Sequence, residues 1–267
     1  MPDGMWKGIL QIKDSAIRPQ LHSVIAIRLD CGAAPRHKQF SDITGLGRMD
    51  AETRKIPSHE VTYGRLRDMI LFGLLEPGQP VTIQGLIRDL DAGMTPVREA
   101  IRKLAAEGAL LPQGNRRVSV PHLTPGLVDQ IAFARLSIEP HLAELAMAQM
   151  TPDLIARLEA IDHDVDSAIQ AGAVPAYLEA NHRFHFALYE ASGAPILVDI
   201  ARSLWLRFGP SLRVVCAHYG AQSLPDQHGA ALSAMRAGDA PGLARAIERD
   251  IAQGLDQVRL ALASGEI

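Results

Sequence analysis

The chain has 267 residues, a formal net charge of −3, and 47% hydrophobic but only 4% aromatic residues. This length favours two domains, and the few aromatic side chains favour a helical core over a β-sandwich. The charge balance excludes a protein that is basic over its whole surface, although it permits a local basic face. Two cysteines are too few for a disulfide framework, and no apolar run is long enough for a membrane span, so we expect a cytoplasmic protein.

The N-terminal residues 1–55 show no sustained hydrophobic period, and the stretch from Cys31 to Arg54 mixes glycine, proline and charges. Such a composition is typical of a flexible extension. A second interpretation is that translation begins at Met49, so that residues 1–48 are an artefact of the chosen start site. The sequence leaves both interpretations open.

The next segment, residues 56–122, has the pattern of a winged helix-turn-helix. Apolar side chains recur on one helical face from Val61 onward, which predicts a first helix. Pro77-Gly78 then prevents this helix from continuing. A second, short helix is predicted over residues 83–90, because its apolar side chains again recur at helical spacing.

A third helix and a β-hairpin complete this segment. Thr95-Pro96 is a favourable N-cap and first helical position, and Gly108 ends the helix. Two short strands are predicted over Ala109–Pro112 and Arg117–Val120. Residues 113–115 (Gln, Gly and Asn) are typical of the turn between such strands.

The chain after Pro121 has helical periodicity throughout, with connections that contain Gly, Pro, Asp or Thr. The predicted helices lie near residues 124–149, 152–171, 174–192, 195–217, 226–237 and 240–263. Residues 123–264 are therefore predicted to form an all-helical bundle. The expected fold is mainly α, with a winged helix-turn-helix of three helices and a hairpin in front of this bundle.

Positive side chains stand where a winged helix meets DNA. Arg98 lies in the first turn of the third helix, and Arg102 follows one turn later on the same face. A guanidinium there can pair with O6 and N7 of guanine, and backbone N–H groups beside Thr95 can hold a phosphate. The candidate DNA-contacting residues are Arg65, Arg67, Thr95, Arg98, Arg102, Arg116 and Arg117. The alternative is that these are ordinary solvated charges and that Arg98 pairs with Glu99 or Glu107.

Three strings of residues resemble the GntR family of bacterial regulators. They are Leu74-Leu75-Glu76-Pro77-Gly78, Met94-Thr95-Pro96-Val97-Arg98-Glu99-Ala100 and Leu104-Ala105-Ala106-Glu107-Gly108. The helical remainder resembles the FCD-type ligand-sensing domain of the FadR-type subfamily, and the likeness covers roughly residues 60–263. It implies a homodimeric regulator that binds double-stranded operator DNA through the third helix and the wing. It also implies that residues 123–264 bind a small-molecule effector and form the dimer.

Two positions depart from the pattern of this family. Gly93-Met94 stands where the family usually has Ser-Arg, so one expected base or phosphate contact is missing. Arg116-Arg117 stands where the wing usually has an Arg-Gly step, so the backbone approaches DNA less closely there and gains a charge. We therefore expect DNA binding with an operator preference that is shifted from that of the family.

Asn181 and His185 lie four residues apart on one face of a predicted helix, a spacing at which two side chains can share a metal. Taken alone, a capping or hydrogen-bonded histidine is the commoner explanation. The resemblance adds that many FCD-type domains bind one divalent metal through an Asp, a His four residues later and two further His. On this chain those positions are Asn181, His185, His228 and Asp250.

This altered set keeps two imidazoles and one carboxylate and gains an amide oxygen. It suits zinc, nickel or manganese, with reduced affinity because an amide oxygen is a poorer ligand than a carboxylate. The open alternative is that metal binding is lost and the pocket binds an organic effector directly. His182, beside this set in sequence, is predicted to point away from it as a surface residue.

Two arginines are candidates for holding an acidic effector, again by resemblance. Arg135 forms an i,i+4 pair with Glu139 at the start of the helical domain, and Arg213 lies on the fourth long helix. A salt bridge that ties helices together explains both arginines equally well. The alternating aspartates of residues 162–166 lack the rest of a calcium loop, so a solvated helix face is predicted there.

The favoured function is a repressor or activator that responds to a carboxylic acid or a related metabolite. One alternative is a metal-dependent enzyme on a helical bundle, but the sequence contains no HExxH or GxSxG motif. Another is a winged helix that contacts protein instead of DNA, which the set of arginines disfavours. We therefore predict a regulator and not an enzyme.

Overall fold

The computed structural model describes residues 58–219 and 226–265 of the chain. The predicted extension over residues 1–55 and Cys31 lie outside the described residues. Within the described part, the fold is mainly helical with one small sheet, as predicted. None of its helices is both long and apolar enough to cross a membrane.

The winged helix has the predicted order of elements and one additional strand. Its elements are α1 (Ser58–Leu71), β1 (Val81–Thr82), α2 (Ile83–Asp89), α3 (Met94–Ala106), β2 (Leu111–Gln113) and β3 (Arg117–Ser119). The strands form an antiparallel sheet in the order β1-β3-β2, with Val81 opposite Val118. Strand β1 is not predictable from the sequence, because two residues are too few to show an alternating pattern.

The start of α3 lies two positions before the predicted start. Gly93 is the N-cap, with extended backbone angles and no side-chain hydrogen bond to the helix. Thr95 is therefore the second helical residue and not the cap, and its side chain is exposed. A threonine hydroxyl caps α2 instead of α3. The Thr82 side chain accepts a hydrogen bond from the Gly85 N–H at 3.0 Å.

The wing hairpin is also shifted from its predicted bounds. Ala109 and Leu110 are 1% exposed, so they belong to the core instead of the first strand. Gln113, assigned to the turn by sequence, pairs with Arg117 in the ladder. The turn is made by residues 114–116, and Asn115 and Arg116 have φ angles of 61° and 58°. This left-handed backbone is unusual for arginine and places Arg116 at the tip of the wing.

The helical bundle follows directly. Its helices are α4 (Pro125–Ala146), α5 (Pro152–Gln170), α6 (Val174–Glu190), α7 (Pro195–Tyr219), α8 (Gln227–Ala237) and α9 (Ala240–Ser264). The bounds lie close to the predictions, except that α4 ends before a short 3-10 helix, Met147–Gln149. Side-chain caps start several of these helices, for example Thr124 at α4 and Asp226 at α8.

Helix packing places the site inside the bundle. α9 packs against α4, α7 and α8, and α6 packs against α4, α5 and α7. The first helix of the winged helix, α1, packs on α3 and also on α7. α7 therefore contacts both the interior of the bundle and the winged helix.

Candidate DNA interface and metal centre

One face of α3 is buried and the other is exposed. Val97, Ile101 and Leu104 are at most 8% exposed and hold the helix against the rest of the winged helix. Arg98 and Arg102 lie on the exposed side, one turn apart. This arrangement leaves their guanidinium groups free to enter a major groove.

In the described part of the chain, Arg98 does not form the ion pair with Glu99 or Glu107 that was the alternative to DNA contact. Both Glu107 oxygens accept from the Tyr63 hydroxyl at 2.9 Å, and Arg98 has no ion pair with Glu99 or Glu107. Lys103 lies over the Tyr63 ring, 3.8 Å from its centroid. The structure thus directs Lys103, and not Arg98, towards a neighbour within the protein.

The remaining candidate DNA contacts fall into two groups. Arg116 and Arg117 are exposed on the wing and have no ion pair among the residues that the structure describes. Arg65 instead donates to the Leu90 carbonyl at 3.2 Å, and Arg67 forms an ion pair with Asp68 at 2.7 Å. To hold a phosphate, Arg65 would have to share or leave the Leu90 carbonyl, and Arg67 would have to share or leave Asp68.

Three predicted metal ligands meet in the bundle, each from a different helix. His185 comes from α6, His228 from the first turn of α8 and Asp250 from α9. One ligand atom from each of the three lies within 4.8 Å of the others. His185 Nε2 is 3.0 Å from Asp250 Oδ2, and His228 Nε2 is 3.9 Å from Asp250 Oδ1.

The other ring nitrogen of each histidine has a hydrogen-bond partner. His228 Nδ1 lies 2.9 Å from Asp162 Oδ1, and the Phe184 ring stacks on the imidazole at 4.0 Å. His185 Nδ1 lies 2.9 Å from the Tyr189 hydroxyl. Asp162, predicted as part of a solvated face, is therefore an exception to that prediction, because α5 turns it towards α8.

The Tyr189 hydroxyl connects His185 to a buried carboxylate. It donates to Glu139 Oε2 at 2.8 Å, and Trp205 Nε1 donates to the same oxygen at 2.9 Å. Arg135 Nε donates to Glu139 Oε1 at 2.6 Å. Glu139 is 0% exposed, so this charge is balanced by the guanidinium and by neutral donors instead of by water.

The residues present fit a divalent cation. Two ligands that each lie about 2.1 Å from a tetrahedral zinc are separated by roughly 3.4 Å, and the separations of 3.0 and 3.9 Å bracket this value. Nε2 of His185 and Nε2 of His228 are both buried and have no hydrogen-bond partner in the described structure. Buried nitrogens of this kind, pointing at a carboxylate, are the donor set that a cation would satisfy.

Burial and charge act in different directions on the three titratable groups. Burial lowers the pKa of His185 by more than Asp250 raises it. Burial also acts to lower the pKa of His228, but the hydrogen bond that it donates to Asp162 and the charge of Asp250 together raise it overall. Burial acts to raise the pKa of Asp250, yet the contact with His185 and the charge of His228 lower it to about 2. Asp250 is therefore ionised at neutral pH, as a metal ligand must be.

Asn181, the fourth predicted ligand, is 7% exposed and lines a small cavity together with Asp250. The volume of this cavity is about 50 Å³. A single water needs roughly 10–15 Å³ of such space, so the cavity has room for a cation and a few small ligands. It is well below the roughly 300–1,000 Å³ of a typical organic-ligand pocket.

The structure separates the two arginines predicted to hold an effector. Arg135 lines the cavity, but it also forms the salt bridge with Glu139 that the sequence offered as its alternative. Arg213 is not part of the cavity lining. A Cβ atom added to Gly73 would lie 2.3 Å from Arg213 Cγ, so the arginine side chain packs on the winged helix instead. Arg213 therefore does not line this cavity, and its role in holding an effector stays a prediction.

His182 is not the surface residue that the sequence predicted. Its ring stacks on Phe186 at 4.3 Å and meets the edges of Phe72 and Trp205 at 5.9 and 5.5 Å. Burial first, and then the charges of nearby groups that include Arg67, lower its pKa to about 3. The prediction failed because the helical wheel shows which side of α6 it faces, but not that Phe72 and Trp205 cover this side.

Sequence reasoning missed the residues that support the two histidines. Tyr189 follows His185 by four residues, as His185 follows Asn181, so the helical period gave a signal for it. For Asp162 and Glu139 the sequence contains no such signal. Their proximity to the histidines depends on the packing of α5 and α4 against other helices.

Two family models match the chain. Residues 59–120 match the bacterial regulatory proteins of the gntR family, and residues 130–253 match the FCD domain. The solved structure of Escherichia coli McbR/YncC resembles this chain with a TM-score of 0.71 at 25% sequence identity. That superposition covers 79% of this chain and 100% of the McbR chain.

Two relatives are similar in sequence. The transcriptional regulator McbR of Escherichia coli is 30% identical over 147 residues, which cover 55% of this chain and 66% of McbR. YdhC of Bacillus subtilis, an HTH-type regulator, is 28% identical over 131 residues, which cover 49% of this chain and 58% of YdhC. The matched regions thus span less than two thirds of the length of these relatives. Both relatives are named as HTH-type transcriptional regulators, which agrees with the predicted regulator.

Proposed function

Because the chain belongs to the GntR family of bacterial regulatory proteins and carries an FCD domain, we propose that it is an effector-controlled transcription regulator. In this proposal, α3 enters the major groove of operator DNA and the wing contacts the backbone or the minor groove. The observation that carries it is the exposed face of α3, where Arg98 and Arg102 lie without ion pairs among the described residues. The protein would act in the cytoplasm, where its operator is.

The proposed contacts differ in what they supply. Arg98 and Arg102 are positioned for base edges, and each good bidentate pair discriminates against the wrong base by about 1–3 kcal/mol. Arg116, Arg117 and Thr95 are positioned for phosphates, which add affinity without sequence information. Arg65 and Arg67 are proposed as additional phosphate contacts once DNA competes for their present partners.

Fluorescence anisotropy with labelled DNA from upstream of the protein's own gene tests this proposal. Arg98→Ala should weaken specific binding by about 1–3 kcal/mol, that is, by roughly 5- to 150-fold. Arg157→Ala is the matched control, because it removes an exposed arginine of the bundle helix α5. Equal binding by the wild type and Arg98→Ala would remove the assignment of α3 to the major groove.

We propose further that the bundle holds one divalent cation through His185, His228 and Asp250, with the Asn181 amide oxygen as an additional ligand. The two buried Nε2 atoms without partners support this. Zinc, nickel and manganese all suit imidazole and carboxylate ligands. A bound cation would supply a positive centre for the carboxylate of an effector, while Arg135 lines the same cavity.

Metal analysis of protein purified without an affinity tag tests the cation. We expect close to one equivalent per chain in the wild type and a loss of most of it in His185→Ala. His141→Ala is the control, because this histidine is 54% exposed on α4 and does not belong to the group of His185, His228 and Asp250. Metal below about a tenth of an equivalent, unchanged by His185→Ala, would favour the alternative in which an organic effector binds directly. The small cavity gives that alternative less support.

We also propose that the protein is a homodimer, since two copies of a winged helix suit a palindromic operator. Large apolar side chains on the bundle surface support this: Phe133 on α4 is 78% exposed and Ile196 on α7 is 76% exposed. Light scattering coupled to size-exclusion chromatography would report twice the chain mass of 28.9 kDa. A monomer at micromolar concentration would contradict the proposal.

A further inference from the structure

The hydrogen bonds around Tyr189 restrict where the proton of His185 can be. A tyrosine hydroxyl has one proton, and this one is donated to Glu139 Oε2 at 2.8 Å. The Tyr189 oxygen can then serve His185 Nδ1, at 2.9 Å, only as an acceptor. Nδ1 must therefore be the protonated nitrogen of the ring.

Glu139 keeps Tyr189 in this orientation. Its carboxylate receives two hydrogen bonds from the buried Arg135, at 2.6 and 3.1 Å, and one from Trp205 at 2.9 Å. A carboxylate that is paired with a guanidinium is an acceptor only, so it cannot return a proton to Tyr189. The direction of the hydrogen bond from Tyr189 is fixed by this pairing.

We infer that Tyr189 and Glu139 are positioning residues that hold His185 with its proton on Nδ1, so that Nε2 presents a lone pair towards Asp250 before any cation binds. This inference rests on the proposed metal site and names the groups that prepare it. It assigns no contact with the cation to either residue.

The opposite tautomer fits the geometry poorly. A proton on His185 Nε2 would point towards Asp250 Oδ2 at 3.0 Å, but this contact lacks the geometry of a hydrogen bond. Nδ1 would then direct a lone pair at the oxygen of Tyr189, whose proton is already donated to Glu139. Two acceptors would then face each other at 2.9 Å. With the proton on Nδ1, the opposed acceptors are instead Nε2 and Asp250 Oδ2 at 3.0 Å, and a cation held by both would relieve their repulsion.

The second histidine is arranged in the same way by a different residue. Asp162 Oδ1 accepts from His228 Nδ1 at 2.9 Å, and the Nε2 atom again has no partner in the part of the chain that the structure describes. Ligating histidines commonly donate their other N–H to a carboxylate or another acceptor, which orients the ring. Asp162 therefore has for His228 the role that Tyr189 and Glu139 have for His185.

Imidazole nitrogen NMR of the full chain, stripped of metal with a chelator, tests the tautomer directly. We expect the ¹⁵N signal of His185 Nδ1 to be that of a protonated nitrogen and the Nε2 signal that of an unprotonated one. Tyr189→Phe removes the acceptor, so the proton should move to Nε2, where Asp250 is the nearest oxygen. A wild-type His185 with its proton on Nε2 would overturn the inference, whether or not metal binds.

Zinc affinity, measured by competition with a chromophoric chelator, supplies the second readout. Tyr189→Phe should bind Zn²⁺ about 10- to 100-fold more weakly than the wild type, the range typical for partners of metal ligands. Tyr63→Phe is the matched control, because it removes a tyrosine hydroxyl of the winged helix, whose acceptor is Glu107. Its zinc affinity should be unchanged.

The possible results distinguish a failure of this inference from a failure of the proposed metal site. If the wild type and His185→Ala take up equally little zinc, the metal site is wrong, and the NMR result still decides the tautomer. If the wild type binds zinc and Tyr189→Phe binds it equally well, the positioning role is wrong. Asp162→Asn retains an acceptor oxygen and should weaken zinc binding less than Asp162→Ala, which distinguishes positioning from general loss of structure.

Discussion

Gly209 of α7 lies so close to α1 that a Cβ atom at this position would be only 2.4 Å from the carbonyl oxygen of Leu71. The neighbouring residues Phe208 and Leu212 line the cavity beside the proposed metal site. α7 is thus in contact with the cavity on one side and with the winged helix on the other. If ligand binding displaces α7, α1 must therefore move with it. No side chain lies between Gly209 and the Leu71 carbonyl that could change its conformation instead.

Gly209→Ala should destabilise the protein, because a methyl group at this position collides with backbone that cannot move independently of α1. Overpacking of this kind typically costs about 1–3 kcal/mol, and urea unfolding would measure it. Gly64→Ala is the control, since an added Cβ there has no atom within 4 Å and a helical Gly-to-Ala change gains roughly 0.5–1 kcal/mol. Similar unfolding midpoints for both variants would contradict the close contact.

Glu139→Gln should strongly destabilise the fold. The substitution preserves the shape of the side chain but leaves the buried Arg135 without its counter-charge, and Arg135 is only 3% exposed. Breaking one partner of a buried ion pair typically costs about 3–5 kcal/mol. Glu144→Gln on the same helix is the matched control, because that side chain is 51% exposed and should change the free energy of unfolding by less than about 0.5 kcal/mol.

Acid sensitivity should depend on His182. Its pKa is lowered to about 3 in the folded protein, while an unfolded chain binds the proton near the ordinary value of 6.5. The unfolded state therefore holds more protons between these values, so the free energy of unfolding decreases as the pH falls from about 6.5 towards 3. The greatest slope that one such group can give is about 1.4 kcal/mol per pH unit.

Urea titrations at pH 7 and pH 5 would measure this contribution. His182→Phe keeps an aromatic ring beside Phe186 and removes the titrating group, so its loss of stability between the two pH values should be smaller than that of the wild type. The exposed His141 is the control position, and His141→Phe should leave the difference unchanged. An identical pH dependence in wild type and His182→Phe would show that other groups cause the acid sensitivity.

Met94 should influence the operator preference that we propose for α3. It is the first residue of the helix, is 45% exposed, and precedes Arg98 by one turn on the same face. An apolar side chain at a base edge favours the methyl group of thymine, whereas arginine favours guanine. Met94→Arg should therefore shift the selected base from thymine to guanine in a selection from randomised DNA, with a discrimination of about 1–3 kcal/mol.

A control separates base recognition from added charge. Leu111 is an exposed apolar residue of β2 in the wing, 48% exposed. Leu111→Arg should strengthen binding to many sequences without changing the base preferred by α3. The assignment of Met94 to a base edge would be wrong if both arginine variants selected the same sequences as the wild type.

Local patterns in the sequence were sufficient for the helices and the wing. The helical spacing of Arg98 and Arg102 predicted that both lie on one face of α3, and the structure exposes that face. Periodicity and cap residues depend on neighbours within one helical turn, which is information that a single sequence contains. The same local rule failed by two residues at Thr95, because Gly93 is the N-cap of the helix.

The tertiary structure decided which distant residues meet. Glu139 and Tyr189 are 50 residues apart, and Asp162 and His228 are 66 apart, yet each pair is hydrogen-bonded at 2.8 to 2.9 Å. No local pattern contains these pairs, because they depend on how α4, α5, α6 and α8 pack around one another. The sequence by itself determined the elements and the types of ligand present. The packing of the helices determined which acceptor holds each histidine, and therefore the direction in which its free nitrogen points.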